Sequence, residues 1–361
     1  MSAYATKLAE AFSARLMEQI YARALFPFIT NTDYKGEVQQ GSKVNIPALA
    51  RVAEKTYNGS NLTADDLSEI VATLTVDQAK SFYFKVKTID EYKSFIKDPA
   101  SKTIQQRANE RKKNVDAFVL AFYPDVAAGQ RVGTDYVTGT VAVAVTTGVV
   151  TGSGTTFTAA MVGRGFKAVG HTKWYRVLSY ASATSITIED DLDDVTSAYT
   201  GGAIGAGAAY VIEANTCVTI TKDTILNNLL KLKTMLDNAE VPDEGRWLGV
   251  PPIIANLFPE GLNIALAVPA VYEELTKRGF ITELVGFKIF SSPRVIGDNT
   301  TGYRCLAGVS DWLTFADNVL EAGIEEDLTG NFGSAFKDLY VYGAKVADER
   351  RKFAAELFAK V

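Results

Sequence analysis

NTDYKGEVQQGSKVNIPALA, residues 31–50, decides how the rest of the chain is read. Gly36 and Gly41 bracket a short turn, Val44 and Ile46 alternate with polar residues, and Pro47 is expected to end the strand. Residues 51–68 are polar and turn-rich, with Asn58-Gly59 as a hairpin signal. Ile70, Ala72, Leu74 and Val76 then alternate, as do Phe82, Phe84 and Val86. The pattern predicts a long β-excursion with a polar tip, whose strands return to a core. A hairpin with so few core residues of its own needs a partner surface.

Upstream, Leu8, Phe12, Leu16 and Ile20 recur every four residues and make one stripe of an amphipathic helix. The segment precedes the first compact unit, so two readings stand: an arm lying on a neighbouring subunit, or a first helix packed on its own domain. Downstream, residues 98–123 read as a long helix, with Asp98 as N-cap and Pro99 at the first helical position. Ile104, Ala108, Val115, Val119 and Phe122 give it a broken apolar face. Arg107, Arg111, Lys112 and Lys113 are expected on the other side, either against DNA or an acidic neighbour, or as a solvated face with Glu110 pairing locally.

At Gly133 the composition changes. To about Tyr210 the chain is rich in Gly, Thr, Ser, Val and Ala and poor in charge. GTVAVAV, GVVTGSGTTF, KWYRVLSYA and TSITIED are short strands between glycine turns. This predicts a small all-β domain, immunoglobulin-like or a small barrel, inserted over 132–214, with its ends near Arg131 and Glu213 close together. After Cys217 a mixed pattern returns. Residues 222–240 form a helix with Ile225, Leu229, Leu232 and Leu236 on one face, and RWLGVPP is a buried strand. Helical segments follow at 253–258 and 270–279, then the strand FKIFSSPRV and a strand within 304–316. The last stretch, KDLYVYGAKVADERRKFAAELFAKV, is read as a strand, a turn and a terminal helix. The fold class is α+β.

Composition narrows the function. Hydrophobic residues make up 47% and charged residues 22%, enough apolar mass for a buried core in 361 residues. A net charge of −5 argues against a protein that grips nucleic acid over its whole surface, so any DNA contact should be local. Cys217 and Cys305 make neither a disulfide framework nor a CxxC motif and read as buried hydrophobes. No apolar run is long enough to span a membrane, and no signal peptide is evident. The single histidine, His171, reads as a surface residue and leaves little for acid–base or metal chemistry.

Glu189, Asp190, Asp191, Asp193 and Asp194 lack the central glycine and final glutamate of a calcium loop, and are expected to form a solvated acidic turn. Glu325, Glu326 and Asp327 read likewise. GGAIGAGAAY lacks the third glycine of a dinucleotide fingerprint, and GSGTT lacks the lysine of a phosphate loop. Ser310 and Asp311 have no histidine partner. No catalytic residue, metal site or cofactor is expected.

Six stretches in order resemble the coat proteins of tailed bacteriophages with the HK97-like fold. They are Asn31 to Pro47, then Leu74-Thr75-Val76-Asp77-Gln78 with Phe82 to Val86, then Arg107–Tyr123 with Asp116. Val241-Pro242 with Gly245 to Pro252, Gly279-Phe280-Ile281 with Gly286 to Ser292, and Tyr340 to Val346 complete the set. No single motif is diagnostic; the specificity lies in the ordered set of six. It covers everything except the β insertion.

The resemblance implies an N-terminal arm over 1–30 and a peripheral domain over 31–131, with an extended loop at about 48–75 and a spine helix at about 98–123. It implies an axial domain over 215–315 and a return to the peripheral domain over 316–361. It implies a major capsid protein that assembles in the host cytoplasm into pentamers and hexamers of an icosahedral virion shell around DNA, with scaffolding, portal and decoration proteins as further partners. Loop residues Arg51, Lys55, Asp65, Asp66 and Glu69 are the expected subunit-interface charges, and Arg107, Arg111, Lys112 and Lys113 the expected inner-surface basic residues. Some members cross-link a loop lysine to an asparagine of a neighbour. Lys55 lies in the loop, but neither its asparagine nor a catalytic carboxylate is identifiable, and this chemistry is not expected. The alternatives are an encapsulin-like compartment shell and a tail or adhesin component.

Overall fold

The computed structural model describes residues 25–33, 43–49, 69–87, 99–190, 199–266, 283–325 and 333–361. The chain divides into two compact units: 1–22, 31–109 and 313–347 form the first, and 23–30, 110–312 and 348–361 the second. The boundary falls inside the long helix.

In the first unit, β1 (Lys43–Leu49) and β2 (Glu69–Thr75) pair antiparallel, from Lys43 opposite Thr75 to Leu49 opposite Glu69. Pro47 does not end β1; it pairs opposite Val71 inside the strand. In a two-stranded sheet each strand has one open edge, so a missing N–H can face outward without breaking the ladder. The second sheet has the order β18 (Leu313–Glu325), β19 (Gly333–Val346), β3 (Gln78–Lys87). Phe84 of β3 stacks on Phe336 of β19 with ring centroids 5.0 Å apart, so the Phe82-Phe84 alternation builds a cross-strand aromatic pair. Leu74, Ala316 and Val341 form a small core, with Val76 and Leu339 against it. A Cβ on Gly343 would stand 2.5 Å from the Thr75 carbonyl oxygen, so glycine is what lets β19 approach the end of β2. Asn31 is anchored here too: its N–H donates to the Leu313 carbonyl at 2.8 Å and its carbonyl accepts from Phe315 N–H at 2.9 Å.

The second unit begins with a single helical turn, α1 (Phe26–Ile29), with Phe26 and Ile29 fully buried. The long helix α2 (Pro99–Leu120) is the helix expected over 98–123. It places Asp116 so that its Oδ1 accepts the N–H groups of Leu25 and Phe26, at 3.1 and 3.0 Å, satisfying the open N-terminus of α1 across some 90 residues of sequence. The indole N–H of Trp312 donates to the Ile29 carbonyl at 3.2 Å at its other end.

After β4 (Arg131–Val132) come eight antiparallel segments: β5 (Thr134–Tyr136), β6 (Thr140–Val143), β7 (Val149–Ser153), β8 (Gly165–Ala168), β9 (Tyr175–Ser182), β10 (Ser185–Asp190), β11 (Ile204–Ala208) and β12 (Tyr210–Thr216). They pair in the order β11-β6-β7-β10-β9-β8-β12-β5. β5 and β6 are two halves of one strand bent at Gly139 (φ +80°), and β11 and β12 meet at Ala209 just after Gly207 (φ +90°). Each half of one bent strand pairs with a half of the other, so the pairings run round a ring. The result is a small barrel rather than an immunoglobulin sandwich. Val141, Val143, Val150, Phe166, Val177, Ile186, Ile188 and Ile212 fill its interior from alternating positions.

A sheet of seven strands completes the unit. Its main order is β13 (Val218–Thr219), β20 (Ala354–Lys360), β17 (Gly302–Gly308), β14 (Trp247–Val250), β15 (Lys288–Ser291), with β4 on β20 and β16 (Gly297–Asp298) on β17. Here the expected terminal helix is corrected. AAELFAK is β20, buried from Ala354 to Ala359, antiparallel to β17 and parallel to β4 and β13. The return segment drawn over 316–361 therefore splits: β19 ends in the first unit's sheet, and β20 lies inside the second unit's.

Helix α3 (Ile225–Asn238) buries Ile225, Leu229, Leu232 and Leu236, each worth about 1.5–3 kcal/mol. It stops in a six-residue closure: Val241 N–H reaches the Leu236 carbonyl and Glu240 N–H the Asp237 carbonyl, with Glu240 left-handed at φ +57°. Arg246 locks the turn by donating to the carbonyls of Val241 and Pro242 and to Asp237. Helices α4 (Pro252–Ala255) and α5 (Leu257–Leu266) follow β14.

Candidate assembly surfaces

The expected basic patch on α2 is dispersed by the structure. Arg107 is exposed, its guanidinium 5.8 Å above the Phe82 ring; Lys113 is exposed and pairs with Glu110 at 2.8 Å; Lys112 is half-buried. Arg111, at 6% exposure, is buried in the stripe that carries Ala108 and Val115. The reason is helical phase: at about 100° per residue, positions 107, 111, 112 and 113 spread over about 240° of the cylinder. Arg107 and Lys113 are the members left at the surface. Of the loop charges, Glu69 opens β2, while Arg51, Lys55, Asp65 and Asp66 lie outside the described residues. The arm helix over residues 1–24, Asn58-Gly59 and the segment 270–279 lie outside them too.

At the base of the barrel is a cluster of buried charges that sequence reading did not assemble. Arg131 Nη1 lies 2.7 Å from Glu213 Oε1, and its Nε 3.1 Å from Glu356 Oε2. Arg164 Nη1 reaches Glu356 Oε2 at 3.1 Å, and Arg304 Nη1 reaches Oε1 at 2.8 Å. Glu213 also accepts the N–H groups of Gly129 and Gly165, and Arg131 donates to the carbonyls of Pro124 and Val126. The Arg304 guanidinium stands over the Phe358 ring, 3.3 Å from its centroid. Burial pushes the carboxyls of Glu213 and Glu356 above the ordinary glutamate range, against the pull of Arg131 and, at Glu356, of Arg164. Burial likewise lowers Arg164. With every carboxylate shared among several donors, the cluster ties β8 and β12 of the barrel to β4, β17 and β20 of the seven-stranded sheet. Such a network fixes a geometry more than it stabilises one.

The acidic turn is corrected at Asp190, which is buried, not solvated. It accepts from Lys173 Nζ at 2.8 Å and from the Thr200 hydroxyl and N–H. Burial opposes its ionisation, but Lys173 and the two Thr200 donors prevail and hold it below the ordinary aspartate range. Asp191 to Asp194 lie outside the described residues. His171 is half-buried, with Nδ1 2.8 Å from the Tyr175 hydroxyl oxygen. Cys305 is buried and Cys217 half-buried. Among the described residues no three His, Cys, Asp or Glu side chains are grouped to hold a metal ion, and no helix is long and apolar enough to cross a membrane.

No protein-family model and no curated protein matches the sequence. Solved structures do match the fold. A chain of Mycobacterium phage Che8 superposes with a TM-score of 0.56 at 16% identity, over 92% of this chain and 90% of its own. A chain from the capsid structure of cyanophage P-SCSP1u does so at 0.53 and 13%, over 93% and 88%. One from the mature capsid of bacteriophage PhiM1 does so at 0.51 and 10%, over 93% and 87%. The chain has a phage capsid fold. It is the HK97-like α+β architecture that the ordered motifs led us to expect, and the likeness spans nearly the whole length of both partners in each comparison.

Proposed function

We propose that this chain is the major capsid protein of a tailed phage, a structural subunit that closes pentamers and hexamers into an icosahedral head around DNA. The observation that carries the reading is the likeness in fold to phage capsid chains over about nine-tenths of this chain. The β1–β2 hairpin and the charged residues 51–68 serve as the extended loop laid on a neighbour, with Arg51, Lys55, Asp65, Asp66 and Glu69 forming charge pairs between subunits. The first unit, with β3, β18 and β19, acts as the peripheral domain, and the seven-stranded sheet with α3 as the axial domain. The barrel over 132–214 is an accessory domain inserted in sequence between β4 and β13 of that sheet.

The mechanism is physical. Each interface is of modest size, and closure multiplies it: a subunit held by one neighbour meets the next at high effective concentration. Arg107 and Lys113 are the α2 cations positioned for DNA, alongside Lys112. So few phosphate contacts on a chain of net charge −5 make the grip weak and salt-sensitive, which suits DNA that must be packed and released. Scaffolding, portal and decoration proteins are the further partners this role requires, and the virion is the destination.

Expression of the full chain followed by negative-stain electron microscopy tests the reading. Closed shells or capsomer rings support it. Tubes or fibres favour a tail component, and a uniform small shell that co-purifies with a cargo protein and no DNA favours a bacterial compartment.

A further inference from the structure

One sector of the barrel wall is unlike the rest. The pairing registers place Thr140 opposite Ser153, and Ala142 opposite Thr151. Thr151 in turn faces Ser185, which faces Ser182. Val149 faces Thr187, which faces Ser179. All of these point outward, because the residues between them, Val141, Val143, Val150, Ile186 and Ile188, fill the interior. Across β6, β7, β10 as far as Thr187, and the far half of β9, the wall is therefore a continuous array of Thr, Ser, Ala and Val, bounded by Glu189 at the next outward position of β10. No charge occurs in the sequence from Tyr136 to Gly163 or from Val177 to Ile188. Charge returns at the border of the array, where Glu189 of β10 pairs opposite Arg176 of β9; Lys167 and Lys173 lie outside it. Leu178, 50% exposed, stands out beside the array where a register shift between Thr187 and Ile188 bulges the strand pair.

A solvated sheet face ordinarily carries long charged side chains that keep other sheets away. Here they are missing from one sector only. Short Thr, Ser and Ala side chains lose little rotamer freedom on burial and allow another sheet to approach closely. The whole chain is acidic, so two copies repel each other except where charge is absent. A two-fold contact sets each residue near its own copy, and a charge there would meet its like. We propose that this charge-free wall is an isologous docking surface for the same wall of a second copy of this chain, sheet against sheet, with Leu178 packing at its margin. The proposal goes beyond the shell reading and can fail without it.

The test is proximity in the full chain. In a Cys217→Ser background, Thr151→Cys is treated with a bis-maleimide whose spacer matches the roughly 10 Å between stacked sheets. Ser153→Cys is the second wall position, should Thr151→Cys fold poorly by circular dichroism. Thr172→Cys, in the exposed turn between β8 and β9, is the control. A covalent dimer from the wall positions and none from Thr172→Cys is expected, and adding Thr187→Glu to Thr151→Cys should abolish it. Absence of dimer at both wall positions, or equal dimer from Thr172→Cys, overturns the proposal. Shells by microscopy without wall cross-links would leave the shell reading intact while removing this one. Wall cross-links in a chain that forms no shells, alone or with the neighbouring phage proteins, would do the reverse.

Discussion

The Arg131 guanidinium and the Glu213 carboxylate, 82 residues apart in sequence, meet at 2.7 Å with both side chains buried. They stand where the chain enters and leaves the barrel, and Glu356 joins them from β20. Removing the cation takes the guanidinium partner from the buried Glu213 carboxylate and leaves Glu356 to Arg164 and Arg304. Arg131→Ala should cost about 3–5 kcal/mol of unfolding free energy, the usual penalty for breaking a buried ion pair from one side. Glu213→Gln, which keeps an oxygen acceptor and sheds a charge, should cost distinctly less. Urea denaturation of the two variants beside the parent checks the order; equal losses would contradict it.

Asp116 holds the N-terminus of α1 through the N–H groups of Leu25 and Phe26. Asp116→Ala should therefore destabilise by about 1–2 kcal/mol, as loss of a helix cap does, and Asp116→Asn by less because one oxygen remains. The same denaturation series reads it. Hydrogen exchange should quicken at Phe26 and Thr30 before it changes in the barrel.

Glu240 sits left-handed at the end of α3, in a position glycine usually takes. Glu240→Gly should stabilise by about 0.5–1 kcal/mol, the strain relieved less the backbone entropy that glycine adds. A rise in thermal midpoint measures it. A fall would mean that the Glu240 side chain makes a contact worth more than the strain.

Acid should separate two kinds of carboxylate. Asp190 is held below the ordinary aspartate range, so its stabilisation is present above the unfolded value and lost as pH falls through the folded one. Glu213 and Glu356 are raised, so their contribution runs the other way: it is full below the unfolded value and lost as pH rises through the folded one. Asp190→Asn should lower the thermal midpoint near neutrality and converge with the parent in strong acid. Parallel midpoint curves across that range would count against the Asp190 brace.

Much of this was legible in sequence where period and turn chemistry act locally. The Ile70–Leu74 and Phe82–Val86 alternations, the Pro99 helix start and the Ile225–Leu236 stripe all became the expected elements, while Val76 falls just past the end of β2. The β-rich stretch after Gly133 became a barrel, with its ends meeting at Arg131 and Glu213. What escaped was set by tertiary position. AAELFAK has helix-forming residues and no strand alternation, and only its place between β17 and the β4 and β13 pairings makes it a strand. Arg111 was assigned by charge to a surface that helical phase denies it. The buried cluster draws on residues 131, 164, 213, 304 and 356, a separation over which no local pattern extends.

The central claim is that this chain builds a closed shell, and direct imaging of the purified full-length protein tests it first. Negative-stain micrographs should contain closed particles or five- and six-membered rings, alone or once the neighbouring phage proteins are supplied. A monomer that persists at high concentration and stays inert with those proteins, or open tubes in place of closed particles, would contradict the account.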